Sequence, residues 1–316
     1  MKYSVVIPCY KSSKTIATVV EETSAELTRL GRTPFEFVLV NDCSPDGGAT
    51  ARTIKALAQE YDNVTALDLA KNTGQHNATM AGFSFAKGEV IICMDDDMQT
   101  HPSQLSALLS ELDKGYDVVY GYYEQKKHGF FRNLGSKLNY LSVRILIGKP
   151  KEMKTSSFFV MQRFVMEYMV QYSHGYSYLQ GLVLRTTRNI SCIPIKHFER
   201  TVGESGYTFK KLLKLWSGIM GFSIVPLRLC TYMGYFFSIV SLLSGLFVLI
   251  KKLFITPNMA MGWPSTIIII CFLFGLTFMF LGLIGEYLGR MFLGMNKEPQ
   301  YVIRSVTVKE GKEKDE

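Results

Sequence analysis

Three consecutive carboxylates, Asp95, Asp96 and Asp97, close the apolar run Val90-Ile91-Ile92-Cys93-Met94 and lead into Met98-Gln99. Burying an unpaired carboxylate is costly, so a hydrophobic strand that ends in acids holds a cation or a catalytic group at that end. A solvated acidic turn is the competing reading. Asp95, Asp97 and Gln99 alternate in sequence, and alternate residues of an extended segment face one way. On that reading their oxygens share one side and Asp96 points to the other.

A second group of reactive side chains is basic. Residues 125–137 carry Lys126, Lys127, Arg132 and Lys137 around Phe130 and Phe131. A guanidinium can donate two parallel hydrogen bonds to a phosphate monoester, which makes Arg132 the natural anion ligand of this run; a solvated or lipid-facing charge cluster is the alternative. The six cysteines are scattered, with no Cys-x-x-Cys pair and no spacing matched to the five histidines. That pattern fits reduced thiols and excludes a zinc site of the usual spacing.

The elements that must position these groups are legible as an alternation. Apolar strand-like runs at 3–7, 35–40, 64–69, 89–94 and 117–120 are separated by helix-length segments at 15–30, 49–61, 77–86 and 102–114. Such an alternation predicts a mostly parallel sheet covered by helices on both faces, with ligands bound beyond the C-terminal strand ends. The polar residues at those ends are Pro8-Cys9-Tyr10, Asn41-Asp42, Asn72-Thr73-Gly74-Gln75 and the three aspartates. They are expected on one rim. Asp42 and Ser44 could instead cap the following helix, Pro8 could merely end its strand, and Gln75 could cap a helix.

The 316-residue chain divides by composition. Residues 1–205 read as a mixed α/β domain. Residues 206–228 mix basic and apolar side chains at helical spacing, as a helix in a lipid headgroup layer does. Two apolar stretches, 229–250 and 266–286, are each long enough to cross a hydrocarbon core and read as a transmembrane hairpin within 229–292; two buried helices of a soluble core are the alternative. A tail, 293–316, follows. Met1-Lys2 leads directly into a short apolar run closed by Pro8, without the form of a signal peptide, so the first domain and the tail are expected on the cytoplasmic side. The net charge of +8 reads as attraction to anionic lipid or a phosphorylated substrate, with no nucleic-acid module in the chain.

The ordered set Val5–Tyr10 (Val-Val-Ile-Pro-Cys-Tyr), Val40–Asp46 (Val-Asn-Asp-Cys-Ser-Pro-Asp), Lys71–His76 (Lys-Asn-Thr-Gly-Gln-His) and Asp95–Gln99 resembles the nucleotide-sugar domain of inverting family 2 glycosyltransferases of GT-A fold. With Arg200–Tyr207 and the closing Gly-Glu-Tyr-Leu-Gly-Arg at 285–290, it is similar to the subgroup of dolichol-phosphate mannose synthase and the bactoprenol glucosyltransferases. The resemblance implies transfer of a hexose or N-acetylhexosamine from a UDP-sugar to polyprenyl (undecaprenyl) phosphate, for cell-envelope glycans, at the bacterial inner membrane, in a homotetramer. It implies Mg²⁺ or Mn²⁺ on Asp97, with Asp95 and Gln99 beside the metal and diphosphate; Pro8, Tyr10, Asp42 and Gln75 on the nucleoside; Asp96 on the sugar; Arg200 near the donor phosphates; and Arg132, Ser136 and Lys137 on the acceptor phosphate.

The chain departs from that pattern at three places. Tyrosines (118–123) stand where relatives have an arginine, Gly206 stands where many have a lysine, and Ser156-Ser157 precede Phe158 where some have an aspartate. A phosphate monoester is mostly ionised near pH 7, with a second pKa of about 6, so a phosphate acceptor needs no base there, whereas a hydroxyl acceptor does. Extension of a lipid- or protein-linked glycan, and a non-catalytic nucleotide-sugar-binding membrane protein, are the alternative functions.

Overall fold

A computed structural model describes residues 2–123, 150, 153–172, 177–196, 225–254, 262–295 and 299–309. Its centre is an eight-stranded sheet in the order β7-β5-β6-β4-β1-β2-β3-β8. The strands are β1 (Tyr3–Cys9), β2 (Phe35–Asn41), β3 (Val64–Leu69), β4 (Val90–Cys93), β5 (Val118–Tyr123), β6 (Phe159–Gln162), β7 (Ile190–Ile195) and β8 (Ile303–Thr307). The first four form the parallel block β3-β2-β1-β4. β6 lies antiparallel between β4 and β5, β7 runs parallel to β5, and β8 pairs antiparallel with β3.

β1 and β2 are buried nearly end to end, which is why they read as continuous apolar runs and not as alternating ones. Period two survives in the two cores. Val5, Ile7 and Leu39 pack with α1 (Ile16–Arg29), α2 (Ala49–Glu60) and α4 (Leu105–Leu112). Val6, Val38 and Val40 pack with α3 (Gln75–Phe83), α5 (Arg163–Val170) and α6 (Leu179–Thr186). The expected mixed α/β sheet domain is present.

Three of its strands were not foreseen. β8 lies in the segment expected as a C-terminal tail and adds a strand to the sheet beside β3. It is held there by Ala70 N–H donating to Val302 O at 2.8 Å, by Arg304 donating to Ala70 O at 3.0 Å, and by Lys309 with Asp62 at 2.8 Å.

Two long helices, α7 (Val225–Phe254) and α8 (Trp263–Met295), lie between β7 and β8 in the chain. The rings of Phe237 and Phe272 meet at 6.1 Å between them. Both carry outward-facing apolar side chains, among them Leu243, Phe247, Phe274 and Phe278. Among the described residues one stretch, 272–289 in α8, is long and apolar enough by itself to cross a membrane. α7 carries Arg228 in its first turn and Lys251 and Lys252 near its end, with an uncharged run between them. Most of the 206–228 segment lies outside the described residues.

Candidate active site

The parallel block delivers the ends of β1, β2, β3 and β4 to one rim, and the loops that leave them are strained in a specific way. Lys11, Cys43 and Met98 all adopt left-handed backbone, with φ of 60°, 47° and 61°. Non-glycine residues with positive φ are uncommon and cost free energy unless the surroundings hold them. Each follows a different strand, and here polar contacts fix each loop.

Asp42 is buried and accepts from Thr73 N–H at 2.7 Å, from Gly74 N–H at 2.9 Å and from the Thr73 hydroxyl. It thus folds the β3–α3 loop over the end of β2. It does not cap α2, whose N-cap is Gly48; the first turn of that helix is instead met by Asp46, which takes Thr50 N–H at 2.9 Å and the Thr50 hydroxyl at 2.5 Å. Ser44 accepts from Lys11 N–H and donates to the Asn41 side chain, linking the loops after β1 and β2. Pro8 is buried within β1 opposite Val40. Tyr10 remains 48% exposed, with the Lys11 ammonium 5.8 Å from the centre of its ring.

β4 ends at Cys93, and residues 96–100 turn in a series of bends with Met98 left-handed. The extended alternation expected for Asp95, Asp97 and Gln99 is therefore absent. The carboxylates still gather, because the turn does what alternation was expected to do. Asp97 Oδ1 accepts from Gln99 N–H at 3.1 Å, closing the turn. Asp96 faces β1, where its Oδ2 accepts from Tyr10 N–H at 2.8 Å and its carbonyl from the Thr15 hydroxyl. Asp95 accepts from Gln75 Nε2 at 2.7 Å and from the Ser157 hydroxyl.

Burial pushes the Asp95 carboxyl up to about 6, with Asp97 and Asp96 adding repulsion and the Ser157 and Gln75 hydrogen bonds opposing it. Burial also raises Asp96. The Tyr123 hydroxyl, 3.5 Å from Gln99 O, is raised by burial first and then by the charges of Asp95 and Asp97. Among the described residues no basic side chain pairs with Asp95 or Asp96. Clustered acids held this way are suited to a divalent cation.

No group of three or more His, Cys, Asp or Glu side chains arranged for a metal occurs among the described residues. Two carboxylates nevertheless suffice for Mg²⁺ or Mn²⁺ when substrate phosphate and water complete the shell. On the donor chemistry present, Asp95 and Asp97 fit such an ion.

Asp42, Tyr10, Gln75, Asp95, Asp96, Asp97 and Gln99 thus share one rim. Arg132, Ser136, Lys137 and Arg200 lie outside the described residues. Sequence reasoning missed the use of Ser157 and Tyr123. The hydroxyls at 156–157 were noted, but nothing in Ser-Ser-Phe-Phe says that one of them reaches an acid 62 residues earlier in the chain.

Residues 4–169 match the family model described as Glycosyl transferase family 2. The chain is 31% identical over 307 residues, covering 96% of itself and 93% of its relative, to an undecaprenyl-phosphate 4-deoxy-4-formamido-L-arabinose transferase of Klebsiella pneumoniae subsp. pneumoniae. It is 30% identical, over the same shares, to the protein of that name from Yersinia enterocolitica serotype O:8. Among solved structures it is similar to glucosyl-3-phosphoglycerate synthase from Mycobacterium tuberculosis in complex with UDP, with a TM-score of 0.49 and 16% identity over 71% of this chain and 79% of that one.

Proposed function

The chain belongs to glycosyl transferase family 2, and from that premise we propose that it transfers a sugar from a UDP-sugar to polyprenyl (undecaprenyl) phosphate with inversion. The observation that carries the reading is the gathering of Asp95 and Asp97 at the end of β4, beside the Asp42-ordered loop and the exposed Tyr10. The acceptor is supported by the names of relatives that match 96% of the chain at about 30% identity. Those names also specify a 4-deoxy-4-formamido-L-arabinose, so the donor panel must contain that sugar beside the hexoses and N-acetylhexosamines that the family resemblance implies.

In this reading the nucleoside stacks on Tyr10, and Asp42 acts by holding the 72–74 loop around it. Asp97, Asp95 and Gln99 face the diphosphate. A bound Mg²⁺ or Mn²⁺ would supply charge to offset the departing diphosphate. Asp96, already engaged by the Tyr10 backbone, positions the β1 loop. An acceptor-phosphate oxygen attacks the anomeric carbon, the bond from that carbon to the donor diphosphate breaks, and UDP leaves. No base has to deprotonate the nucleophile, since the acceptor oxygen is already ionised at neutral pH. The family resemblance implies Arg132, Ser136 and Lys137 for the acceptor phosphate and Arg200 for the donor phosphates. A helical hairpin formed by α7 and α8 in a bacterial cytoplasmic membrane keeps the acceptor's phosphate at the level of the rim.

The test is transfer of radiolabel from a panel of UDP-sugars into organic-extractable lipid, with purified protein, undecaprenyl phosphate and Mn²⁺ or Mg²⁺. Label in the lipid that disappears in Asp97→Ala is expected. Label found only in a glycan acceptor would replace this reading with glycan extension.

A further inference from the structure

The hydrogen bonds around Asp95 assign roles that the family reading does not. Gln75, the first residue of α3, donates to Asp95 Oδ1 at 2.7 Å, and the Ser157 hydroxyl donates to Oδ2. Both oxygens of one carboxylate are therefore engaged by side chains from two elements on opposite sides of β4 in the chain. Neither donor is loosely held. The Ser156 hydroxyl donates to Gly121 O at 2.5 Å and accepts from Phe158 N–H at 3.0 Å, while Phe158 O accepts from Gly121 N–H at 3.0 Å. The 156–158 turn is thus locked onto β5, with the Phe158 side chain fully buried. On the other side, Thr79 donates to Gln75 O at 2.8 Å within α3. Asp95 N–H itself donates to Thr100 at 3.2 Å.

A carboxylate free to rotate presents its lone pairs in many directions. One with a donor on each oxygen keeps a single plane. We infer that Gln75 and Ser157 are positioning residues that clamp the Asp95 carboxylate in the plane needed to share a divalent cation with Asp97. This inference rests on the metal-site reading above. It moves Gln75 from the nucleoside to the metal site, and gives Ser157 a function that its sequence context does not reveal. Partners that orient metal ligands in this way change affinity by about 10–100-fold when removed.

The experiment is Mn²⁺ titration of the full-length protein in detergent, with and without UDP, following the free-ion electron paramagnetic resonance signal, with thermal melting as a check of folding. Ser157→Ala and Gln75→Leu should each bind Mn²⁺ about tenfold more weakly than wild type while melting normally, and Ser157→Thr, which keeps the donor, should stay within about twofold. If Asp97→Ala loses Mn²⁺ but Ser157→Ala and Gln75→Leu keep wild-type affinity, the clamp is refuted and the metal site stands. If wild type takes up no Mn²⁺ under either condition, or Asp97→Ala binds it normally, the metal-site reading falls and the clamp falls with it. Should Ser157→Ala fail to fold, Gln75→Leu and Ser157→Thr separate the same outcomes.

Discussion

At the scale of single residues, the rim is built from acids with unequal work. Asp97→Asn keeps the shape of the side chain and removes its charge, so turnover should fall by roughly 10²-fold or more with melting unchanged; a kcat near wild type would remove Asp97 from the site. Asp42→Ala should cost stability as well as activity, because it leaves the Thr73 and Gly74 N–H groups without their acceptor. The expected loss is about 1–3 kcal/mol, read by denaturant unfolding. His76 gives a pH signature. Its Nδ1 is buried with no hydrogen-bond partner among the described residues, its ring lies 5.7 Å from Tyr178, and burial depresses its pKa from 6.5 to about 4. As pH falls below 6.5 the unfolded chain takes up a proton that the folded protein refuses, so stability is lost between about pH 6.5 and 4, by at most about 3 kcal/mol. Asp95 runs the opposite way. With its pKa raised from 3.8 to about 6, the folded state binds the proton more tightly, and the penalty for ionising it grows as pH rises through that window. Comparing wild type with His76→Gln isolates the histidine: the variant should lose less melting temperature between pH 7 and pH 5. The acids were legible from residue type and strand position alone. Their partners were not, because Ser157 and Gln75 reach Asp95 through tertiary contacts and leave no local pattern in the sequence.

At the scale of elements, the site depends on how closely α3 approaches the sheet. A Cβ on Gly82 would lie 2.3 Å from Val6 Cγ1 and 3.2 Å from Val40 Cγ2, so α3 sits where only glycine fits. Gly82→Ala should push the helix outward, lowering stability by about 1–3 kcal/mol and weakening nucleotide binding through the displaced 72–75 loop. Normal melting and normal binding would show that α3 has slack. β1 to β5 and their helices were legible because buried parallel strands are uninterrupted apolar runs. β6 is four residues long, and β7 carries Pro194, tolerated because β7 is an edge strand. β8, Ile-Arg-Ser-Val-Thr, was hidden for a different reason: nothing local says that a chain leaving a long apolar helix returns to a sheet it left more than a hundred residues earlier. Truncation after Gln300 should expose the β3 edge and remove the Arg304 contacts to Asp68 and Ala70, lowering the melting temperature and promoting aggregation. A truncated protein as soluble and stable as the full chain would make β8 an accessory.

At the scale of the whole molecule, the two-core sheet and the helices α7 and α8 divide the labour between donor and acceptor in the proposed reaction. The proposed hairpin makes a prediction for reporter fusions in a bacterial host. Alkaline phosphatase fused after Phe254 should be active, reporting the outer side, whereas green fluorescent protein fused after Lys309 should be fluorescent, reporting the cytoplasm. The reverse pattern, or phosphatase activity at neither position, would remove the hairpin. β8 adds a constraint of parity. β7 and β8 belong to one sheet, so the chain between residues 196 and 299 starts and finishes on one side of any bilayer it meets. In the proposed hairpin the crossing by α7 is undone by the crossing by α8, which returns the chain to the side it left, as a strand in the same sheet requires.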